Sequence, residues 1–259
     1  MTSNADSART ASADPPPETA TQATVIAGET GQAVQASPHL RMLLRRRHTL
    51  VIVLTFLTGA ADATGFLALG GAFSSVMTGN MVLLGLSVGH TEAALAVNSG
   101  AAIVSYIVGV LIGAHVAGSA RSADPVWPRQ VTRALLTELL LLVAFLVLWE
   151  VTGEDRTATA ARVLLMLAAA ALGLQGSAVQ RFGVPGLSST YLTGTLTTLI
   201  SAVAARKPLR TLLPSSQVLL ALMVGAAVGA VVVDQLPRLS PVLLITPMLI
   251  VLLAARTLD

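Results

Sequence analysis

After about position 49 the chain is a succession of apolar runs, several of them close to the roughly 20 residues that carry a helix across a hydrocarbon core. The runs are apolar all round, rich in Leu, Ala, Val and Gly, and none shows the alternation over about ten residues that marks a barrel strand. In lipid a segment must satisfy its backbone polar groups internally, so runs of this kind fold as helices. Composition agrees: 54% of residues are hydrophobic and 11% charged, with a mean hydropathy of +0.76, whereas ordinary soluble domains carry about 25% charged residues. The fold class that follows is all-α, a polytopic transmembrane helical bundle.

Eight segments are expected, at about 49–69, 72–89, 95–118, 132–150, 160–180, 187–204, 214–235 and 239–256. Residues 1–40 are rich in Ala, Ser, Thr and Pro, contain no apolar run, and read as a disordered cytoplasmic tail. Residues 41–259 form one transmembrane domain. Cysteine is absent, so no disulfide or thiolate metal site exists. The formal charge of +3 comes from short Lys and Arg tracts between apolar runs, which orient helices and meet headgroups; nucleic acid is not an expected partner, and the lipid bilayer is. Trp127 and Trp149 lie near segment ends and suit packing or the headgroup boundary.

A short motif occurs twice. "SSVMTGN" runs from Ser74 to Asn80 and "STYLTGT" from Ser189 to Thr195, so Ser74, Thr78 and Gly79 match Ser189, Thr193 and Gly194. Farther along, Gly109 and Gly113 match Gly225 and Gly229 at nearly the same offset, and upstream Asp62 lies opposite Gln175 or Gly176. The economical description is two pseudo-symmetric repeats, about 49–151 and 159–256. Small residues four apart let helix backbones approach closely, so the GxxxG pairs read as packing faces, including faces for a homo-oligomer.

Basic residues distinguish two topologies, both with the amino terminus in the cytoplasm. If all eight segments cross, ten Lys and Arg fall inside and five outside. If the two Thr-Gly segments dip in and return, the split is twelve inside, with only Arg156, Arg162 and Arg238 outside. The second arrangement has three crossings per half, so the repeats are inverted and the short segments are broken or re-entrant, a recurring transporter plan. Eight crossings with parallel halves is the alternative.

A helix that stops in mid-membrane leaves backbone groups unpaired at several kcal/mol each, so something polar must meet the break. Gly79 and Gly194 let the backbone turn there, and Ser74, Ser75, Thr78, Asn80, Thr193 and Thr195 supply groups that satisfy the break or bind a solute. Asp62 is the costliest residue of the first span, at roughly 2.5–3.5 kcal/mol on insertion scales, and is a functional candidate on that ground. Its sharp roles are protonation or cation binding; its plain role is a hydrogen bond closing a broken helix. The candidate substrate- or ion-binding set is Asp62, Ser74, Thr78, Gly79, Asn80, Gln175, Thr193, Gly194 and Thr195. Glu138 is expected near the interface, solvated or paired with Arg133. Neither His spacing nor an acidic cluster offers a metal site, and with no HExxH, P-loop or G-x-S-x-G motif neither catalysis nor a cofactor is expected.

The run "GAADATGFLALGGAFSSVMTGNMVLLGLSVG" resembles the YoaK family, bacterial multi-pass inner-membrane proteins grouped as a domain of unknown function. The likeness rests on Asp62, "FLALG", "MTGN" and the following Leu-Gly run, and extends over about 49–256. It implies a multi-helix protein of the bacterial cytoplasmic membrane in which Asp62, Thr78, Gly79 and Asn80 belong to a characteristic core; it implies no substrate. The expected function is a small-solute or ion transporter with a midplane site at the two Thr-Gly segments and Asp62. A non-transporting membrane scaffold or assembly factor is the alternative.

Overall fold

The structure is a computed structural model, and it describes residues 38–120, 124–182, 192–256 and 258. Up to residue 37 the expected disordered tail lies outside the described residues, as do Ser189, Thr190 and Tyr191 of the second motif. Residues 1–41 and 42–259 form separate units.

The described residues are helical: α1 (Pro38–Ala68), α2 (Met77–His90), α3 (Ala93–Ala117), α4 (Arg129–Thr152), α5 (Ala158–Gln180), α6 (Leu192–Ala204), α7 (Leu209–Gln235), a 3-10 turn (Pro237–Leu239) and α8 (Ser240–Ala255). Each expected segment corresponds to one helix. α1 starts earlier than the apolar run, because Pro38 suits a first helical turn and Arg41 to Arg47 extend the helix into a basic collar. Six helices are long and apolar enough to cross a membrane: α1, α3, α4, α5, α7 from Leu212, and the final one from Pro237. α2 has 14 residues and α6 has 13; at 1.5 Å per residue each is about 20 Å long, short of the roughly 30 Å hydrocarbon core.

Two parallel helix pairs are sealed by glycine. In α1 and α7, a Cβ on Gly59 would lie 2.1 Å from the Leu222 carbonyl oxygen, and one on Gly225 2.1 Å from that of Phe56, while Gly229 meets Ala60. In α3 and α5, a Cβ on Gly109 would lie 2.0 Å from the Ala170 oxygen and one on Gly173 2.3 Å from that of Tyr106, while Gly113 meets Leu174 and Ser177. No side chain fits between backbones this close, which is the small-residue packing that lipid-embedded helices use. Both GxxxG faces are thereby consumed inside the chain. Gly109, Gly113, Gly225 and Gly229 are all buried against other helices of the same molecule.

The remaining layer is α4 against α5 and α8. Trp127 is fully buried, donates Nε1–H to Thr132 Oγ1 at 2.9 Å and packs on Phe182. Trp149 stacks near Phe145 and carries the Arg156 guanidinium 3.7 Å above its ring. At one end of the bundle Arg181 forks onto Asp124, both contacts 3.0 Å, and also donates to the Ala117 carbonyl. At the other, exposed Arg238 and Glu154 approach to 3.6 Å.

Glu138 departs from expectation. Arg133 is five residues away, about 140° around the helix, and its side chain is exposed while that of Glu138 is fully buried with both oxygens unpartnered.

Candidate functional site

The break after α1 is made by Gly70 (φ +102°) and Gly71 (φ +80°), a left-handed pair that L side chains resist. The close approach of Asn98 fixes the turn further: its Nδ2 donates to the Gly70 oxygen at 3.1 Å, while its Oδ1 accepts from Arg162 Nε at 3.0 Å. The chain then doubles back along α1. Gly65 makes room for it, since a Cβ there would lie 2.7 Å from Ser74 Oγ. Ser74 donates its hydroxyl to the Ala61 carbonyl at 3.2 Å.

Asp62 ends the descent. Its Oδ1 accepts the Ser75 backbone N–H at 2.7 Å and its Oδ2 accepts the Ser75 hydroxyl at 2.5 Å. Asp62 lies six residues before Ala68, so the loop has returned about 9 Å toward the bundle interior. There α2 begins, with a carboxylate beside its amino-terminal end, the favourable sign for a helix dipole. Asn80 closes the same loop from the other side. Its Oδ1 accepts Phe73 N–H at 2.8 Å and its Nδ2 donates to the Phe73 carbonyl at 2.7 Å, the exchange a neighbouring strand would make. Asp62, Ser74 and Asn80 are thus brought together as a latch on a re-entrant hairpin.

Gly79 and Gly194 do not turn the backbone. Each is the third residue of its short helix; the turn falls at Gly70 and Gly71 because the chain must reverse before it can re-enter. A Cβ on Gly79 would lie 3.2 Å from the Phe73 and Val76 side chains, and one on Gly194 would meet nothing within 4 Å.

Thr78 and Thr193, the matched threonines, are exposed into one cavity of about 460 Å³. Ser75, Val76, Met77, mid-helix Tyr106 and Val110, Gln180, Leu192 and mid-helix Leu222 complete it. Asp62 sits behind Ser75 rather than in the wall. Thr195 is buried on α6. Gln175 is not part of the cavity: buried on α5, it donates Nε2–H to Thr58 Oγ1 at 2.8 Å and to the Leu54 carbonyl at 3.4 Å, tying α5 to α1. Tyr106 and Gln180 are the wall residues sequence reasoning missed; a phenol in mid-run and an amide at a run's end were the signals available. A larger cleft, about 830 Å³ between α1, α7 and α8, is apolar apart from Gln217 and Thr246 and is suited to acyl chains rather than to a polar solute.

Residues 50–255 match the model of a family described as "Protein of unknown function (DUF1275)". The chain belongs to this family. It is also 34% identical over 191 residues to UPF0700 transmembrane protein YoaK of Bacillus subtilis (strain 168), covering 72% of this chain and 82% of that relative. No solved structure matches. The latch, the cavity and both glycine-sealed pairs all lie inside the matched DUF1275 region, whose family description assigns no activity. The chain is accordingly a multi-pass membrane protein of the YoaK and DUF1275 family.

Proposed function

We propose that this protein transports a small polar solute or ion through a mid-bundle site between α2 and α6, and that its two halves are inverted repeats in the bacterial cytoplasmic membrane. The observation that carries the reading is the shared cavity, where Thr78 and Thr193 stand in one wall although 115 residues separate them. Two short helices start at that cavity, and the positive end of a helix dipole favours an electronegative group. Tyr106, Gln180 and the two threonines offer hydroxyl and amide contacts around it.

The glycine contacts support a two-fold relation between the halves. Gly59 of α1 faces α7 as Gly173 of α5 faces α3, and Gly225 and Gly229 answer as Gly109 and Gly113 do. The first helix of each half therefore packs on the third of the other, as a two-fold axis between the halves requires, and three crossings per half would lay that axis in the membrane plane. The α1–α7 pair and the α3–α5 pair would rock against each other around the cavity. With six crossings the twelve cytoplasmic basic residues and the Arg181–Asp124 end share one side, and Arg238–Glu154 lies on the other.

The scaffold reading draws on a different observation: Asp62 and Asn80 spend their hydrogen-bonding capacity on the hairpin itself. A panel of radiolabelled solutes and ions, tested for uptake into vesicles containing the purified full chain, separates the two. Uptake of one member, weakened by Thr78→Val and by Thr193→Val, is expected; a null across the panel favours the scaffold. Because the native chain has no thiol, Ala120→Cys and Asp155→Cys test the topology. Ala120 should label from the cytoplasm and Asp155 from outside, and the reverse or a shared side would defeat the inverted model.

A further inference from the structure

Glu138 is the buried carboxyl that the cavity and the latch do not use. It lies nine residues beyond Arg129, about 14 Å along α4 at 1.5 Å per residue, so it is deep in a membrane-crossing segment. Its side chain is fully buried, and neither oxygen has a hydrogen-bond partner.

The groups that could compensate a charge there are engaged or exposed. On α4 itself Arg129, Arg133 and Glu150 are exposed. α4 packs against α3, α5 and α8. On α3 the titratable side chains are Tyr106, which is half-buried and lines the cavity, and His115, which is exposed. On α5 Arg162 donates to Asn98, and just past its end Arg181 is held by Asp124. Within Ser240–Ala255 α8 has none, and Arg256 beyond it is exposed. Among the described residues no Lys, Arg or His nitrogen comes within 4.0 Å of Glu138.

An uncompensated carboxylate in such a place costs several kcal/mol, and a carboxyl group with no acceptor for its own hydroxyl is still under-satisfied. Packing alone is better served by leucine. Its hydrogen-bonding capacity would be met in a conformation where water or another polar group reaches it.

We propose that Glu138 is a proton-binding site of the membrane interior, protonated in the conformation described here and releasing its proton to water in another, and that it couples proton movement to transport. The coupling clause rests on the transport reading. The step is a simple exchange: the O–H bond breaks, the proton passes to water on one side, and the carboxylate takes a proton back from the other. Asp62 is a poor choice for this role, since both its oxygens are held by Ser75.

Dicyclohexylcarbodiimide modifies protonated carboxyls in apolar surroundings, and it provides the probe. The full chain in phosphatidylcholine and phosphatidylglycerol vesicles is treated with the reagent and the adduct is located by peptide mass. Label is expected on Glu138, lost in Glu138→Gln, kept in Asp62→Asn and Glu138→Asp, and falling as the buffer is taken from mildly acidic to alkaline. Label on Asp62 in place of Glu138, no label on Glu138 in wild type, or labelling of Glu138 indifferent to pH would overturn the proton site. For a solute taken up in the panel above, Glu138→Gln should lose accumulation driven by a pH gradient yet keep solute-for-solute exchange; wild-type accumulation in that variant would overturn the coupling. If no solute is taken up, the transport reading and the coupling fall together, while the labelling result decides the proton site on its own.

Discussion

The two short helices carry the same Thr-Gly motif, yet their amino-terminal ends are built differently. At α2 the Asp62 and Asn80 side chains make four hydrogen bonds to Ser75 and Phe73 and bind the helix start to α1 and to its own loop. At α6, Gln175 or Gly176 stands where the repeat would place Asp62, Thr195 stands in place of Asn80, and Gly194 has open space on its Cβ side. At α2 the motif of small polar residues is thus fixed by a carboxylate from the preceding span. On the proposed reading, the latched hairpin is the stationary wall of the cavity and α6 the one that moves.

The largest effect should come from the frame of the four glycine-sealed helices. Gly59→Leu or Gly109→Leu drives a side chain into a backbone carbonyl that has nowhere to go. A loss above about 3 kcal/mol is expected, seen as a collapse of the monodisperse fraction in detergent. A well-behaved Gly59→Leu protein would dissolve the distinction between a rigid frame and a movable helix.

Next in size is the latch. Asp62→Ala strands the Ser75 N–H and hydroxyl at about 1–3 kcal/mol each, and Asn80→Ala strands the Phe73 pair at a similar cost; both should lower the thermal midpoint of the detergent-solubilised protein. Asp62→Asn keeps an acceptor for the Ser75 N–H and should lose clearly less stability than Asp62→Ala. Equal losses in the two variants would mean that charge rather than hydrogen bonding holds the hairpin.

Thr78→Val and Thr193→Val test the cavity without touching the latch. Their side chains are exposed into it, so stability should move by less than about 0.5 kcal/mol, while any solute-dependent rise in the melting midpoint should shrink in both. A shift lost in one variant and untouched in the other would show that the walls do not act on one solute. Opposite in sign is Gly194→Ala, which meets open space and replaces a poor helix former, a change worth up to about 1 kcal/mol in the stabilising direction. Destabilisation there would indicate that α6 is as tightly packed as α2.

Much of this was legible in the residues. The distribution of Lys and Arg marked α2 and α6 as re-entrant segments, and a carboxylate inside an apolar run marked Asp62 as something the fold had to answer. Other features were not legible. Gly79 and Gly194 read as the hinge because the motif drew attention to them, but the reversal needed consecutive positive φ angles, which Gly70 and Gly71 supply. Glu138 read as interfacial from its neighbours in the chain, whereas helical phase and the packing of α3, α5 and α8 decided its burial.

The sequence by itself determined that the chain lives in lipid as helices, because hydropathy and the cost of unpaired backbone are properties of each segment alone. It also determined which glycines had to meet another helix, though not which helix. Only the tertiary structure decided that Asp62 grips Ser75, that Thr78 and Thr193 share a cavity, and that Glu138 stands unanswered. Those outcomes depend on the distance between groups far apart in the chain, and electrostatic and hydrogen-bond energies are set by distance and burial rather than by residue type.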